Sequence, residues 1–569
     1  MPSEPTVPAA VEDPFALSEA VVEAMVELRP ITATVWGLPG RDGEWDDLSP
    51  EGHERVHARL SALAARLPAH AAPGASRWER LAADVLADVL RLELDRFEHQ
   101  DHLCDLNSIA SPFQFVRMVF DVMDGTTELG WRARVSRLES LGEVLEGYRR
   151  SLELGLRSGR VVAVRQVQAV LEQGRVYAGE DSYFRTLPAA MAQAGVHEVA
   201  LSARLAEAAP RACAHYGRLV AWLEEVYLPH ARAEDGVGRA QYLREAQRFL
   251  GTSIDPEETY AWGWREMATI AAQMRALASE IAPGKSVPEV LDLLKTDPAR
   301  CAPTVEAFLE VMRARQREAL AQLSGTHFEV PAPVRELEVK LAPPGGPLGA
   351  YYAPPSDGFT RPGCVWYSLG TAATLPLFDE IATAYHEGFP GHHLQIGVQI
   401  ALTERLSRLH RLADGYSGYA EGWALYAEQV MAELGYYEKP EYLFGMLSCQ
   451  MIRACRVVLD LGAHLALPIP SDQAFHPGEA WSFELGVEML ETMGGVQPEH
   501  ALSEMTRYLG WPGQAISYKV GQRVLLELRR ELERRLGSAF DLKEFHARVL
   551  GSGNVGLDHL TRLVLDGEE

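Results

Sequence analysis

The sequence predicts a mostly α-helical, two-lobed protein with a small β-sheet. Apolar residues recur at helical spacing through most of the chain, and helix-capping residues introduce many of these stretches. Between Phe328 and Gly370 the pattern changes to short alternating segments separated by Pro and Gly, which predicts the sheet. We therefore expect an N-terminal helical lobe at residues 15–325. The sheet and the C-terminal helices form the second lobe, at residues 326–569.

The N-terminal lobe follows a loose tail. Residues 1–14 are rich in Pro, Ala and acidic side chains, a composition typical of a flexible terminus. Phe15 to Leu28 has the apolar spacing of a helix. Ser76 and Glu79 have the spacing of a capping box, in which each side chain bonds a backbone amide at a helix start. We interpret the apolar stripes of these helices as core packing.

The predicted sheet lies between the two sets of helices. Leu337 to Leu341 alternates apolar and charged residues, and Tyr351-Tyr352 and Cys364 to Ser368 are two further short segments. The loops between them contain Pro343-Pro344-Gly345-Gly346 and similar turns. Two interpretations stay open. An edge strand could pair with an extended peptide, or the region is only a connector between helical lobes.

A histidine cluster follows the sheet, in the stretch Tyr385-His386-Glu387-Gly388-Phe389-Pro390-Gly391-His392-His393-Leu394-Gln395. The nearest template is H-E-x-x-H, in which two histidines one turn apart hold zinc and the Glu activates water. Here the next histidines come later. On a straight helix His392 would lie ~240° around the axis from His386, and His393 would lie ~10.5 Å along it. Neither would share a metal with His386.

Pro390-Gly391 offers a way to close this spacing. Pro390 cannot donate to the carbonyl of His386, and Gly391 permits the torsions of a looped-out turn. Looping out two residues restores the one-turn relation between His386 and His392, whereas looping out three restores it for His393. We prefer His392 as the ligand because the smaller insertion distorts less backbone. His393 then becomes an outer partner or a donor facing the substrate.

The cluster predicts one zinc ion per chain. A catalytic zinc typically takes three protein ligands, of which His386 and His392 supply two. The third should be a His or a carboxylate on a separate helix. Glu387 lies ~100° around the helix from His386, so we expect it to act as general base and then as proton donor.

The pattern H-E-x-x-P-G-H-H-L-Q spans His386 to Gln395 in full. At these residues the chain resembles the bacterial family called domain of unknown function 885, which is grouped with the gluzincin metallopeptidases. The resemblance extends through Glu421 to Tyr426, Arg456 to His464, Arg507-Tyr508, Pro512 to Ala515 and Tyr518 to Gly521. It implies one continuous family domain over residues 15–569, with a metallopeptidase-like helical fold.

The resemblance also assigns roles outside the cluster. Glu421 belongs to the E-G-W motif of the family and opens a helix after a glycine-bounded turn, so it is the expected third ligand. Glu428, two turns later, is the second choice or a partner that orients a ligand histidine. Tyr518 is the expected hydrogen-bond donor to the oxyanion of a tetrahedral intermediate. His546 is the next candidate if Tyr518 only packs.

The composition restricts partners and location. The 569 residues include 54 basic and 79 acidic side chains, a net charge of -25, which disfavours binding to nucleic acid or to anionic membranes. The six cysteines form no C-x-x-C pair, and the N-terminal residues lack the pattern of a signal peptide. No continuous apolar run approaches the ~20 residues of a membrane span. We expect a cytoplasmic protein, and the oligomeric state stays open.

The function that the resemblance implies is zinc-dependent hydrolysis of peptide bonds. A deep cleft between helical lobes would favour short peptides over folded proteins. Two alternatives stay open. One is a metal-dependent amidase that acts on a small non-peptide amide, and the other is a catalytically silent helical protein that binds a structural metal. The sequence has no G-x-S-x-G elbow or P-loop that would support a serine hydrolase or an NTPase.

Overall fold

The computed structural model describes residues 13–68, 74–342, 349–369, 374–413 and 415–566. Within these ranges the protein is mostly α-helical with one three-stranded sheet, which confirms the predicted helical content and the predicted small sheet. Nearly all of the predicted tail, residues 1–14, lies outside the described residues. The Pro343–Gly346 loop also lies outside them.

The helices of the described chain share the apolar spacing seen in the sequence. In chain order, the first of them are α1 (Pro14–Leu28), α2 (Pro30–Val35), α3 (Pro50–Ala64), α4 (Arg77–Glu98), α5 (Pro112–Val122), α6 (Glu128–Arg157), α7 (Val164–Ala178), α8 (Tyr183–Gln193), α9 (Val199–Trp222), α10 (Arg239–Leu250), α11 (Pro256–Ile281) and α12 (Val287–Thr296). The others are α13 (Val305–Leu323), α14 (Glu380–Glu387), α15 (His392–Ala401), α16 (Arg408–Leu412), α17 (Ser417–Glu433), α18 (Pro440–Leu465), α19 (Phe483–Thr492), α20 (Pro498–Gly510), α21 (Ser517–Leu536), α22 (Leu542–Gly551) and α23 (Leu557–Leu565).

Capping residues fix several helix starts where the sequence predicts them. Asp13 caps α1 by accepting a hydrogen bond from the amide of Phe15. The helix begins at Pro14, one residue before the predicted start at Phe15. Ser76 and Glu79 form the predicted capping box of α4. Local side-chain to backbone hydrogen bonds satisfy amides that have no helical partner, so such boundaries can be read from short sequence patterns.

The sheet contains β1 (Leu337–Leu341), β2 (Gly349–Ala353) and β3 (Gly363–Ser368), in the order β1-β3-β2. β1 and β3 are parallel, with Leu337 opposite Gly363. β2 and β3 are antiparallel, with Gly349 opposite Ser368. Within the described sheet β2 is therefore an edge strand, and a strand lies at each predicted segment.

The chain divides into two compact units. Unit 1 comprises residues 1–234 and 403–413, and unit 2 comprises residues 235–402 and 414–569. The predicted boundary near residue 325 differs from this division. Residues 235–325 belong to unit 2 because α11 packs along α18. A Cβ atom at Gly263 of α11 would lie only 3.0 Å from side-chain carbons of Val457 and Val458 of α18.

The interior of unit 1 is apolar and aromatic. Phe113, Phe184 and Tyr216 are fully buried in it. The rings of Phe113 and Tyr216 meet edge to face at 5.3 Å, a favoured aromatic geometry. The buried charge of Arg137 is accommodated by neutral acceptors, since its Nε donates to the carbonyl of Glu44 at 2.8 Å. Unit 1 thus has a conventional packed core.

Helix α18 is long and apolar. By length and composition it could cross a membrane, but 83% of its most apolar window is buried inside the protein. A buried core helix meets the same criteria, so the pattern is weak evidence for a membrane span. Polar side chains of this helix, including Gln450 and Asp460, are buried with hydrogen-bond partners. We assign α18 to the core of unit 2.

Candidate metal centre

The histidine cluster lies at a break between two helices. α14 ends at Glu387 and α15 begins at His392. Across the break, the amide of Gly391 donates to the carbonyl of Tyr385 at 3.0 Å, six residues back instead of the four of a regular helix. The chain thus accommodates two extra residues, and it does so by ending one helix and starting another rather than by bulging a continuous one.

Two local features hold this break. The side chain of Gln316 accepts a hydrogen bond from the amide of Phe389 at 2.7 Å and donates one to the carbonyl of Ala384 at 2.7 Å, which satisfies backbone groups that the break exposes. A Cβ atom at Gly391 would lie 2.0 Å from the carbonyl oxygen of His386. Position 391 therefore requires glycine because the backbone passes too close for a side chain.

His386, His392 and Glu421 come together at this break. The Nε2 atom of His386 lies 3.3 Å from Oε2 of Glu421, and the Nε2 atom of His392 lies 3.4 Å from the same oxygen. The three atoms all lie within 4.8 Å of one another. The imidazole planes are nearly perpendicular, at 88°. This trio places three potential ligand atoms around one point, although Glu421 lies on a different helix from either histidine.

Close packing of two helices carries Glu421 to the trio. Glu421 lies in the first turns of α17, next to Gly422. A Cβ atom at Gly422 would lie 2.5 Å from a backbone carbon of Gly521 in α21. The two glycines let the α17 and α21 backbones approach closely, so that the side chains beside them, Glu421 and Tyr518, face the same region.

The trio fits a divalent metal of the zinc type. Oε2 of Glu421 is buried, and within the described chain it accepts no hydrogen bond of adequate geometry despite the two nearby imidazoles. A buried carboxylate oxygen without a donor is costly, and a cation between the three groups would satisfy it. Two imidazole nitrogens and one carboxylate oxygen form a typical catalytic zinc ligand set.

Glu428 holds His386 from behind. Its Oε1 lies 2.7 Å from Nδ1 of His386, and its Oε2 accepts a hydrogen bond from Nε2 of Gln450 at 3.1 Å. Oε1 of Gln450 in turn accepts a hydrogen bond from the ammonium group of Lys519 at 3.0 Å. With its Nδ1 proton directed at Glu428, the imidazole presents the lone pair of Nε2 to the trio, as ligand histidines commonly do.

The electrostatics of the trio favour a bound cation. Burial opposes a charged His386, yet the neighbouring carboxylates of Glu421 and Glu428 raise its pKa to about 9. Burial also opposes ionisation of Glu421, but the two imidazoles hold the pKa of that carboxyl well below its usual range. The carboxylates therefore attract positive charge, which a proton or a metal ion can supply.

Glu387 is adjacent to the trio without belonging to it. Burial raises the pKa of its carboxyl, while the charges of His386 and His392 oppose that rise. Within the described ranges, its carboxylate has no hydrogen bond or ion pair with another side chain. A carboxylate with a raised pKa and free oxygens suits a group that accepts and returns a proton.

His393 faces away from the trio. Its Nε2 lies 2.7 Å from the carbonyl oxygen of Val334, and its Nδ1 lies 2.9 Å from the hydroxyl of Tyr352 in β2. Burial lowers the pKa of His393 to about 4. The neutral ring therefore donates a hydrogen bond from Nε2 to Val334 and accepts one at Nδ1 from the Tyr352 hydroxyl. The second bond links the edge strand β2 to α15.

Tyr518 lies over the trio from α21. Its ring is nearly parallel to that of His386, with 6.5 Å between the centroids. The guanidinium of Arg456 lies 4.6 Å from the centroid of the Tyr518 ring. Burial raises the pKa of Tyr518, so its hydroxyl keeps its proton at neutral pH. Among the described residues this hydroxyl has no hydrogen-bond partner, so it is free to donate.

The family model of bacterial proteins of unknown function named DUF885 matches residues 30–564. The chain belongs to this family. No curated protein matches the sequence.

Two solved structures have the same fold as this DUF885 protein. One is a protein from Colwellia psychrerythraea provisionally named a lipoprotein, with a TM-score of 0.85 and 24% identity over 98% of this chain and 99% of that one. The other, from Shewanella oneidensis, is also provisionally named a lipoprotein and is of unknown function. Its TM-score is 0.73, with 17% identity over 97% of this chain and 99% of that one. At these identities the likeness shows the fold.

His546 does not reach the trio in this family member. Its Nδ1 lies 2.9 Å from the carbonyl oxygen of His327 and its Nε2 lies 2.9 Å from the hydroxyl of Tyr426. Burial lowers its pKa to about 4. The ring also stacks on Phe328, with 4.5 Å between centroids. Both nitrogens are thus used within the core, and the ring has none left for an oxyanion.

One motif in the DUF885 chain has the spacing of a dinucleotide-binding site. Gly551-Ser552-Gly553-Asn554-Val555-Gly556 has the G-x-G-x-x-G spacing of dinucleotide-binding turns. Such a turn must follow a strand and open a helix so that the helix N-terminus meets the phosphates. Here it joins α22 to α23, so a helix and not a strand leads into it. The spacing is coincidental.

Proposed function

We propose that the protein is a zinc-dependent hydrolase that cleaves peptide bonds of short peptides. The observation that carries this proposal is the convergence of His386, His392 and Glu421, with the unpaired carboxylate of Glu387 beside them. The gluzincin-like character implied by the H-E-x-x-P-G-H-H-L-Q pattern belongs to the same proposal.

The protein's own residues divide the work. His386, His392 and Glu421 would hold the metal, and Glu428 fixes the ring of His386. A bound zinc ion would polarise the scissile carbonyl and lower the pKa of a water molecule to about 7. Glu387 accepts a proton from the attacking water and returns it to the departing amine. Tyr518 donates its hydroxyl proton in a hydrogen bond to the developing oxyanion.

The test is hydrolysis of a mixed pool of oligopeptides by the purified protein. We expect cleavage that stops when a chelator removes the metal and returns when zinc is added. Glu387→Gln should keep the metal and lose on the order of 10³-fold in turnover, because general acid–base catalysis typically contributes 10²–10⁴-fold.

Three results would contradict the proposal in different ways. Stoichiometric metal without cleavage of any peptide would support a silent metal-binding protein. Cleavage of small non-peptide amides alone would support an amidase. Undiminished turnover in metal-replete Glu387→Gln would remove this carboxylate from the mechanism.

Location is a separate part of the proposal. We propose a cytoplasmic location from the composition, although the two similar structures are provisionally named lipoproteins. Fractionation of cells that express the native gene tests this location. Detection in the cytosol would support it, and detection in the membrane fraction would contradict it.

A further inference from the structure

Arg453 occupies the stretch of α18 that passes the trio. Three residues before it, Gln450 bonds Glu428, which holds His386. Three residues after it, Arg456 lies over the ring of Tyr518. Residues three apart on a helix are neighbours on its surface. Arg453 therefore lies between two side chains that each contact a partner of the metal ligand His386.

The guanidinium of Arg453 lacks the partner that its neighbours have. Arg456 pairs with Glu504 at 2.7 Å, and Arg507 pairs with the same carboxylate at 3.1 Å. Within the described residues, Arg453 forms no ion pair. Its Nη1 donates to the carbonyl of Cys449 at 3.1 Å, and its Nε is buried without a partner. Glu504 is thus shared by two arginines, whereas Arg453 feels the charge of Glu428 without forming an ion pair with it.

The position of Arg453 relates it to the reacting groups. Burial raises the pKa values of Glu387 and Tyr518, and the positive charge of Arg453 opposes both rises, so Arg453 lies within electrostatic range of the expected base and the expected oxyanion donor. Arg453 is half-buried, and a buried guanidinium nitrogen without an acceptor, as its Nε is, is costly. Arginine binds carboxylates through two parallel hydrogen bonds, and its planar group is suited to that geometry.

We propose that Arg453 binds the free C-terminal carboxylate of a short peptide substrate. This inference rests on the proposed function and makes it narrower. A long polypeptide rarely has its terminus near the scissile bond, whereas a short peptide always does. The carboxylate would complete the hydrogen bonding of Arg453 and would orient the peptide between Glu387 and Tyr518. The protein would then prefer peptides with a free C-terminus over the same peptides as amides.

Binding to an inactive variant tests the inference without turnover. The protein is zinc-loaded Glu387→Gln, and the probes are trialanine and trialanine amide, compared by isothermal titration calorimetry. We expect the free acid to bind on the order of 10²-fold more tightly, the typical effect of removing one partner of a buried, hydrogen-bonded charge pair. Equal affinities, or no binding of either probe, would overturn the inference. This comparison needs no change at Arg453.

A second substitution assigns the preference to one residue. Adding Arg453→Met should reduce affinity for the acid by the same factor and leave affinity for the amide nearly unchanged. The matched control is Arg523→Met, which removes an arginine of α21 that pairs with Glu258 at 3.0 Å. That control should keep the preference for the acid. A preference that persists in Arg453→Met would overturn the assignment.

Hydrolysis by the wild-type protein separates this inference from the proposed function. Cleavage of acid and amide at equal efficiency would overturn the role of Arg453 and leave the metallopeptidase proposal standing. Absence of cleavage of every peptide would instead overturn the proposed function. A preference for the acid that appears in kcat/KM and disappears in Arg453→Met would support both.

Discussion

The interiors of the two units differ in the partners that their buried charged side chains have. In unit 1, Phe113, Phe184 and Tyr216 fill the core, and the buried Arg137 is bonded to neutral oxygens of the backbone and Thr34. In unit 2, buried charged groups face one another: Glu428 faces His386, and Arg507 pairs with Glu504 at 3.1 Å. The interior of unit 1 is built for stability, whereas the groups expected to carry out the chemistry lie in the interior of unit 2.

The physical reason is the cost of burying charge. An apolar core gains stability from the area it removes from water, at roughly 25 cal/mol per Å². Buried charges must be desolvated, and their mutual attraction often does no more than offset that cost. Unit 2 retains such groups around the trio, where Glu428 orients the ring of His386. Substitutions in the two interiors should therefore have different consequences.

The largest effect is expected from His386→Ala. Removing one of three ligands should abolish stoichiometric zinc binding, because the two that remain do not form a catalytic zinc site. Metal analysis after dialysis measures this. His393→Gln is the matched control and should keep the metal, since both nitrogens of His393 already have protein partners. Full metal in His386→Ala would show that the trio is misassigned.

The opposite result is expected in unit 1. Phe184 is fully buried and packs edge to face with Phe120 at 5.8 Å. Phe184→Ala should lower the free energy of unfolding of this unit by about 3–5 kcal/mol, the usual cost of such a cavity. Denaturant unfolding followed by circular dichroism measures it, and the zinc content of the folded protein should not change.

Val199→Ala is the control for that measurement. Val199 begins α9 and is 82% exposed, so its loss should change stability by about 0.5 kcal/mol or less. Loss of the metal from a folded Phe184→Ala variant would contradict this prediction. It would show that the interior of unit 1 affects the metal site as well as stability.

A smaller effect is expected from Tyr518→Phe. This change removes only a hydroxyl and keeps the ring between His386 and Arg456. Turnover should fall on the order of 10²-fold, the typical loss for one oxyanion donor, while metal and peptide binding stay nearly constant. Steady-state kinetics and metal analysis test this together. Unchanged turnover would assign Tyr518 to packing.

The smallest effect is expected from Gln450→Leu. Gln450 bridges Glu428 and Lys519, so its loss should loosen the carboxylate that orients His386. Outer partners of this kind typically change metal affinity by 10–100-fold, and we expect about tenfold because Glu428 itself remains. Competition with a chromophoric chelator measures the affinity. Gln473→Leu should have no effect, because Gln473 is half-buried and its side chain bonds Asp472. Equal affinities in both variants would limit the polar network to Glu428.

Sequence patterns predicted the local structure well. Capping boxes and apolar spacing indicated helix starts such as those of α1 and α4, and alternation gave β1 at its observed residues. These features depend on interactions between residues a few positions apart, so a short window contains the relevant physics. The division into units was not predicted, because it depends on the packing of α11 against α18.

The sequence by itself determined that His386, Glu387 and two further histidines lie together and that Pro390-Gly391 must interrupt a helix between them. It favoured His392 over His393 only because the smaller insertion distorts less backbone, and this left both orientations open. Only the tertiary structure turned His392 into the trio and His393 toward Tyr352. The reason is that one residue of helical rotation, ~100°, reverses which side chain faces the site.

The choice between the two carboxylates also required the tertiary structure. Glu421 and Glu428 lie on the same helix, and the sequence favoured Glu421 only through a family resemblance. In the structure, Glu421 faces both histidines and Glu428 bonds the far side of one. The approach of α17 to α21 at Gly422 and Gly521 sets this arrangement. Those glycines are far apart in sequence, and their contact exists only once the chain has folded.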